Sequence, residues 1–172
     1  FWYCGSEADG IDGVRSEVRQ LVKEGADFIK IMATGGSTWS SDPLKPSYTV
    51  DEMTVIVEES HRFDKLTAAH CASAQGIKNA LDAGVDMIIH CVFEDETGMY
   101  DFREDIAEQL AIANAWVNPT LHVIQAGIDL TRRIGKERGW LTVEEQASID
   151  NSERSLENRS ESVSRLVKMG VR

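Results

Sequence analysis

Along this chain the apolar positions switch repeatedly between a helical spacing and short uninterrupted runs. In the first such passage Val14, Val18, Leu21 and Val22 share a helical face, Gly25 is placed to end the helix, and Phe28-Ile29-Lys30-Ile31-Met32 follows as a buried strand. That strand closes on Thr34-Gly35-Gly36. The passage recurs with Ile77, Ala80 and Leu81 as the stripe, Gly84 as the stop and Val85-Asp86-Met87-Ile88-Ile89-His90 as the strand. Between the two copies, Thr49-Val50-Asp51-Glu52 has the form of a capping box, in which Thr49 and Glu52 satisfy the exposed amides of a helix start. Met53, Ile56 and Val57 give that helix a core face, and Leu66-Thr67-Ala68-Ala69-His70 follows as another strand. A helix bearing Ile106, Leu110 and Ala113 leads to a fourth strand, Trp116 to Leu121, which Pro119 is expected to end early.

Strands that read as continuous apolar runs and alternate with helices imply a parallel sheet covered by helices, an α/β architecture. After Leu121 the chain turns polar and helical, with a break at Gly139, a second capping box over Thr142-Val143-Glu144-Glu145, and sparse apolar positions at Ile149, Leu156, Val163, Leu166 and Val167. Residues 122–169 are read as a helical insertion and the helix before a further strand; a partner-binding helix is the other use of such a segment. The Ser- and Pro-rich stretch from Ser37 to Ser47 is a loop after a strand end, where barrel enzymes place substrate-facing groups.

The balance of 18 Lys and Arg against 29 Asp and Glu gives a net charge of −11, which repels a polyanion, so nucleic acid is excluded as a partner. Cys4, Cys71 and Cys91 are an odd set without metal-knuckle spacing, and the last two sit in apolar runs; buried thiols in a reducing compartment fit better than disulfides. No apolar stretch reaches the roughly 18 residues of a membrane span and no leader opens the chain, so the expectation is a cytoplasmic protein. The start at Phe1 and the end at Val171-Arg172, where a new strand begins, suggest a piece of something longer.

Lys30 lies inside an otherwise apolar strand, where an ammonium is costly to bury unless paired, neutralised or modified. Three roles are open to it: a structural ion pair, a Schiff-base nucleophile, or a lysine carboxylated by carbon dioxide that bridges two metals. His70 and His90 each fall at the C-terminal end of an expected strand, where parallel α/β proteins assemble their sites, so the three groups converge on one mouth. Either histidine alone also reads as a hydrogen-bonded core imidazole. His61, beside Arg62 on a helix, reads as a surface residue, and His122, just past a strand end, as a candidate substrate contact.

At this point the residues resemble a known family. The run Gly25-Ala26-Asp27-Phe28-Ile29-Lys30-Ile31-Met32-Ala33-Thr34-Gly35-Gly36 resembles the fourth-strand segment of the amidohydrolase superfamily, in its imidazolonepropionase-like and prolidase-like branch. Ala68-Ala69-His70 with Gly76-Ile77, and Ala83-Gly84-Val85-Asp86 with Ile88-Ile89-His90, resemble its fifth and sixth strands; Asn118-Pro119-Thr120-Leu121 is similar to its seventh. The likeness runs in order from Asp9 to Leu121. It implies a partial (β/α)8 TIM barrel covering about strands 4 to 7, in which Lys30 is carboxylated and bridges two divalent metals, usually zinc, while His70 and His90 bind the second. Imidazole nitrogens and carboxylate oxygens suit zinc. The implied reaction is hydrolysis of an amide, peptide or related C–N bond by a metal-bridging hydroxide, with an eighth-strand aspartate moving the proton.

Two departures qualify the likeness. The first-strand His-x-His pair and the eighth-strand aspartate are not in this sequence, so the expectation is an active parent protein and an inactive piece. Ala72 stands where dipeptidase-like relatives carry Tyr or His, which puts dipeptidase specificity in doubt. The rival readings are a barrel aldolase using Lys30 as a Schiff base and a non-catalytic ligand-binding barrel. The expected partner is a small-molecule or short-peptide substrate, with no membrane, and with self-association into a homo-oligomer left open.

Overall fold

The computed structural model describes residues 5–36 and 41–172; Cys4 and residues 37–40, the start of the Ser- and Pro-rich loop, lie outside the described residues. Helices and strands alternate: α1 (Gly10–Lys23), β1 (Ile29–Ile31), α2 (Val50–Arg62), β2 (Thr67–His70), α3 (Ala74–Asp82), β3 (Met87–Ile89), α4 (Glu104–Ala113), β4 (Trp116–Asn118), then α5 (Leu121–Arg138) and α6 (Val143–Lys168). The four strands form one parallel sheet in the order β1-β2-β3-β4. Next to β4, the Val117 amide donates to the Arg172 carbonyl at 2.8 Å, so the chain after α6 returns to the sheet beside its last strand.

The local chemistry explains the boundaries. Thr49 and Glu52 make the reciprocal cap at the start of α2, and Thr142 and Glu145 make it at α6. Gly25 and Gly84, which follow α1 and α3, have φ of +94° and +81°, a conformation that turns the chain from helix into strand and that side chains resist. β4 stops at Asn118, as Pro119 requires, and Leu121 belongs to α5 instead of a strand.

Register separates the sheet into two faces. Ile31, Ala69, Ile88 and Val117 are aligned across the strands, and the first three are buried in one cluster with Val14, Val18, Met53, Ile56, Val57, Ile77, Ala80, Ile106 and Leu110 of the helices. The opposite face carries Lys30 aligned with Ala68, then Met87 and Trp116. Here the structure corrects the expectation of a fully buried first strand: Lys30 is exposed, as are Phe28 (52%) and Met32 (44%). Helices cover only one face in this chain, so the ammonium meets solvent and no burial cost has to be explained within it.

The polar C-terminal region is a pair of helices, α5 and α6, packed on each other. Ile149 and Leu166 are buried as expected from their apolar character, whereas Val167 is 65% exposed. A Cβ at Gly135 would sit 2.3 Å from Leu141 Cδ2, so a larger residue there would displace the Leu141 side chain. Cys71 and Cys91 are buried free thiols; burial pushes Cys91 up to about 12 and Cys71 up as well, so neither is a reactive thiolate. Among the described residues no helix is long and apolar enough to cross a membrane.

Candidate active site

Because the strands are parallel, their C-terminal ends form a single mouth, and the structure brings His70 and His90 together there. Their rings lie edge to face with centroids 4.6 Å apart. His70 is the last residue of β2; His90, the expected end of the next strand, is the first residue after β3, and its amide donates to the Asn118 carbonyl at 2.8 Å.

Each imidazole is held by a hydrogen bond, and for His70 that bond selects the tautomer. His70 Nε2 lies 3.0 Å from the Gly35 carbonyl, which only accepts, so Nε2 carries the proton and Nδ1 keeps its lone pair. The same carbonyl accepts from the Thr34 hydroxyl at 3.1 Å, and that hydroxyl in turn accepts the Ala72 amide at 3.0 Å. Thr34 is fully buried. Gly35 has no room for a side chain, since a Cβ there would sit 2.3 Å from the Asp42 carbonyl oxygen.

His90 Nδ1 lies 2.6 Å from Thr120 Oγ1, which leaves Nε2 as its outward nitrogen. Thr120 occupies the cap position of α5, yet its side chain makes no capping bond; the hydroxyl serves His90 instead. It does so from φ +52°, while His90 and Cys91 have φ of +68° and +52°. A β-branched threonine in the left-handed region is strained, and such strain persists where the surroundings over-determine it. Three such residues fall beside the paired imidazoles.

Burial pushes the His90 imidazolium down to about 4, with the positive charges of His70, Arg159 and Lys30 adding to the effect. Burial also lowers His70, opposed by its bond to Gly35 and assisted by Lys30 and Arg159. Both shifts favour the neutral ring, the state that ligates a metal. Lys30 projects from the same face of the sheet as His70, one strand away and level with Ala68. Two lone pairs on neutral imidazoles, each backed by a second hydrogen bond, fit a zinc-type ion. Among the described residues no three His, Cys, Asp or Glu side chains gather, so the pair is an incomplete ligand set by itself.

The other histidines stand apart. His61 is exposed at the end of α2, where Nε2 meets Asp86 Oδ2 at 2.8 Å. His122 is exposed on the first turn of α5, and none of the described contacts joins it to His70 or His90. A cavity of about 700 Å³ runs along the free edge of β1 past Val14, Val18, Lys30 and Tyr48, away from the two histidines.

Sequence reasoning missed Thr120 and Arg159. Arg159, on α6, has a fully covered Nε with no hydrogen-bond partner among the described residues. A signal for it was present: Ile149, Leu156 and Val163 recur at sevens, and Ser152, Arg159 and Leu166 form the parallel row, which puts an arginine in the apolar seam of the helix.

Comparison with known proteins bears on the family and the fold. Residues 3–172 match the model of the Amidohydrolase family. Ochratoxinase from Aspergillus niger is 38% identical over 99 residues, covering 56% of this chain and 21% of that protein. Its crystal structure superposes with a TM-score of 0.73 at 26% identity, over 95% of this chain and 33% of that one. An amidohydrolase structure gives 0.73 at 31% identity over 97% of this chain and 37% of that one. A prolidase complexed with N-methylphosphonate-L-proline gives 0.71 at 30%, over 96% and 37%. The chain thus spans about a fifth of the curated relative's length and a third of the solved structures, and its four-stranded unit corresponds to part of their barrels.

Proposed function

This chain belongs to the amidohydrolase family, and from that premise we propose that the whole protein is a metal-dependent hydrolase of an amide, peptide or related C–N bond. The observation that carries the reading is the meeting of His70 and His90 at 4.6 Å, each ring held in place by a hydrogen bond, to the Gly35 carbonyl and the Thr120 hydroxyl. In this proposal His70 through Nδ1 and His90 through Nε2 hold one divalent ion, and Lys30, carboxylated, bridges it to a second; zinc is the ion these donors suit. Such ions lower the pKa of water and polarise a carbonyl.

The residues of this chain do the rest by position. Gly35 and Thr120 keep the two rings turned so that a lone pair of each faces the mouth. Burial and the charge of Arg159 keep protons off the imidazoles. His122 is retained as a candidate substrate contact. A Schiff-base role for Lys30 would leave the His70–His90 pairing without a purpose. The substrate class is a small molecule or short peptide. The buried thiols of Cys71 and Cys91 support a reducing compartment, the cytoplasm.

The test is hydrolysis of a panel of N-acyl amino acids by the whole protein, before and after chelation. Activity that is lost with the chelator and restored by zinc is expected; undiminished activity in metal-free protein contradicts the proposal.

A further inference from the structure

Beyond Thr120, the side-chain hydrogen bonds and ion pairs of α5 stay within the α5–α6 hairpin. The seam between the helices is thin, with Ile128 and Gly135 buried on α5 and Ile149 on the first half of α6. Two ion pairs fix how the helices are turned about it, Arg132 with Glu153 and Arg138 with Glu145. At about 100° per residue, the two arginines fall on opposite sides of the α5 seam, as the two glutamates do about Ile149. Val123, Gly127, Leu130 and Ile134 make a row about a third of a turn from the α5 seam, on the Arg138 side. Ser148, Asn151, Ser152 and Ser155 border a shallow hollow on α6, on the Glu145 side. Because Arg138 and Glu145 meet, row and hollow share one face of the hairpin.

Further along α6 the same face carries Ser162 and Leu166, and there the domain covers it. The Ser162 hydroxyl meets Tyr100 Oη at 3.1 Å, and Leu166 belongs to the core cluster. Beyond that contact the face is bare. Val123, Leu130 and Ile134 are 69%, 47% and 43% exposed, and a Cβ on Gly127 would meet nothing. Trp140 and Val143, at the tip of the hairpin, are exposed as well. Between the row and the hollow the charged side chains are Arg138 and Glu145, which neutralise each other; the cores of protein interfaces are depleted of charge in the same way. The rest of a barrel has to continue the sheet from the free edge of β1 and from Arg172, whereas this face lies on two helices that pack on each other.

We propose that this face binds the same face of a second copy of the chain, so that two hairpins form an antiparallel four-helix bundle. The domain already occupies one end of the face at Ser162 and Leu166, so a second hairpin fits only with its tip pointing toward that end. A two-fold axis near Leu130 then sets Ile134 of each copy over Gly127 of the other. On α6 the same axis sets Ser152 against Ser155 of the other copy, where small side chains let the helices approach. The surface is thus complementary to itself, as a two-fold interface requires. Covering Val123, Leu130, Ile134, Trp140 and Val143 on both copies removes roughly 1,000 Å² from water, the size at which specific interfaces begin. The pairing also carries Trp140 to the level of Leu121 and His122 of the other copy, next to the Thr120 that holds its His90. Each hairpin then roofs the mouth of the other copy.

The experiment uses the whole protein and two readouts that do not depend on its activity. Size-exclusion chromatography with light scattering is expected to give a dimer or a multiple of one. Leu130→Glu combined with Ile134→Glu is expected to halve that mass with the far-ultraviolet circular dichroism unchanged. Leu130→Cys, treated with a short bis-maleimide, is expected to yield cross-linked pairs of chains. Lys136→Cys, exposed on the far side of α5, is expected to yield none. A monomeric wild type, as when the protein's own remaining residues cover the face, overturns the proposal. So does an unchanged mass in the folded glutamate variant, or cross-linking that is equal in the two cysteine variants or absent from both. If the glutamate variant unfolds, the cysteine pair decides alone.

Discussion

The hydroxyl of Thr120 lies 2.6 Å from His90 Nδ1, and it reaches that point from a left-handed backbone at a helix start where threonine would ordinarily cap the helix. The bond fixes which nitrogen of His90 faces the mouth. Thr120→Val removes the hydroxyl at nearly constant shape, and it is expected to weaken zinc binding by the whole protein about 10- to 100-fold. Thr120→Ser, which keeps the hydroxyl, is expected to stay within about 3-fold of wild type on the same principle. Competition with a chromophoric chelator measures both; equal affinity in the valine variant would reduce the contact to a packing detail.

A glycine on the far side of the site acts on His70 through two neighbours. A Cβ on Gly76 would lie 2.2 Å from Thr34 Cγ2, and Thr34 is fully buried while it steadies the Gly35 carbonyl that His70 uses. In an open helix, Gly to Ala stabilises by about 1 kcal/mol. In α3 the sign reverses, and Gly76→Ala is expected to cost about 1–3 kcal/mol through overpacking. Denaturant unfolding checks the stability, and zinc content checks the accompanying disturbance of His70.

Asp86 predicts an acid dependence. Partial burial pushes its carboxyl up, but hydrogen bonds from His61 and from the Thr67 amide and hydroxyl outweigh that and hold it below its ordinary value. A carboxyl lowered by folding binds its proton more weakly in the native state than in the unfolded one. Its contribution is therefore full above the unfolded pKa of about 4 and is lost as pH falls through the lower native value. Asp86→Asn is expected to cost about 1 kcal/mol near pH 7 once solvent screening is allowed for. Thermal unfolding of both proteins should show the gap closing below about pH 4; a gap that is constant down to pH 2 would contradict the assignment.

Much of this was legible in the chain. The repeated helix, glycine and strand passage gave the parallel sheet, and both expected glycine stops do have positive φ. His70 and His90 were singled out by their position at expected strand ends and Lys30 as a charged residue inside an apolar strand, which needs only the period of the pattern. The exposure of Lys30 was not legible, because it depends on what covers the second face of the sheet and not on β1 itself. Thr120 was hidden because its role needs a left-handed turn after Pro119 and a partner thirty residues away. Arg159 was passed over because α6 is polar for most of its length, and a single arginine in its sparse seam is noticed only when the rows are written out by sevens.

Lys30 separates the metal readings from the rest. Lys30→Ala in the whole protein is expected to lose the bridged ion, and bicarbonate should promote metal uptake by metal-free wild type while having no effect on the alanine variant. Unchanged metal content and activity in Lys30→Ala would remove the bridging role and leave the lysine as a solvated residue of the open face.

The most direct test of the central claim is metal analysis of the whole protein after chelator-free purification. A site built on His70, His90 and carboxylated Lys30 predicts about two equivalents of tightly bound divalent metal, with zinc favoured by the donor set. Less than about one equivalent of zinc, manganese or iron, with no uptake on reconstitution, would contradict it.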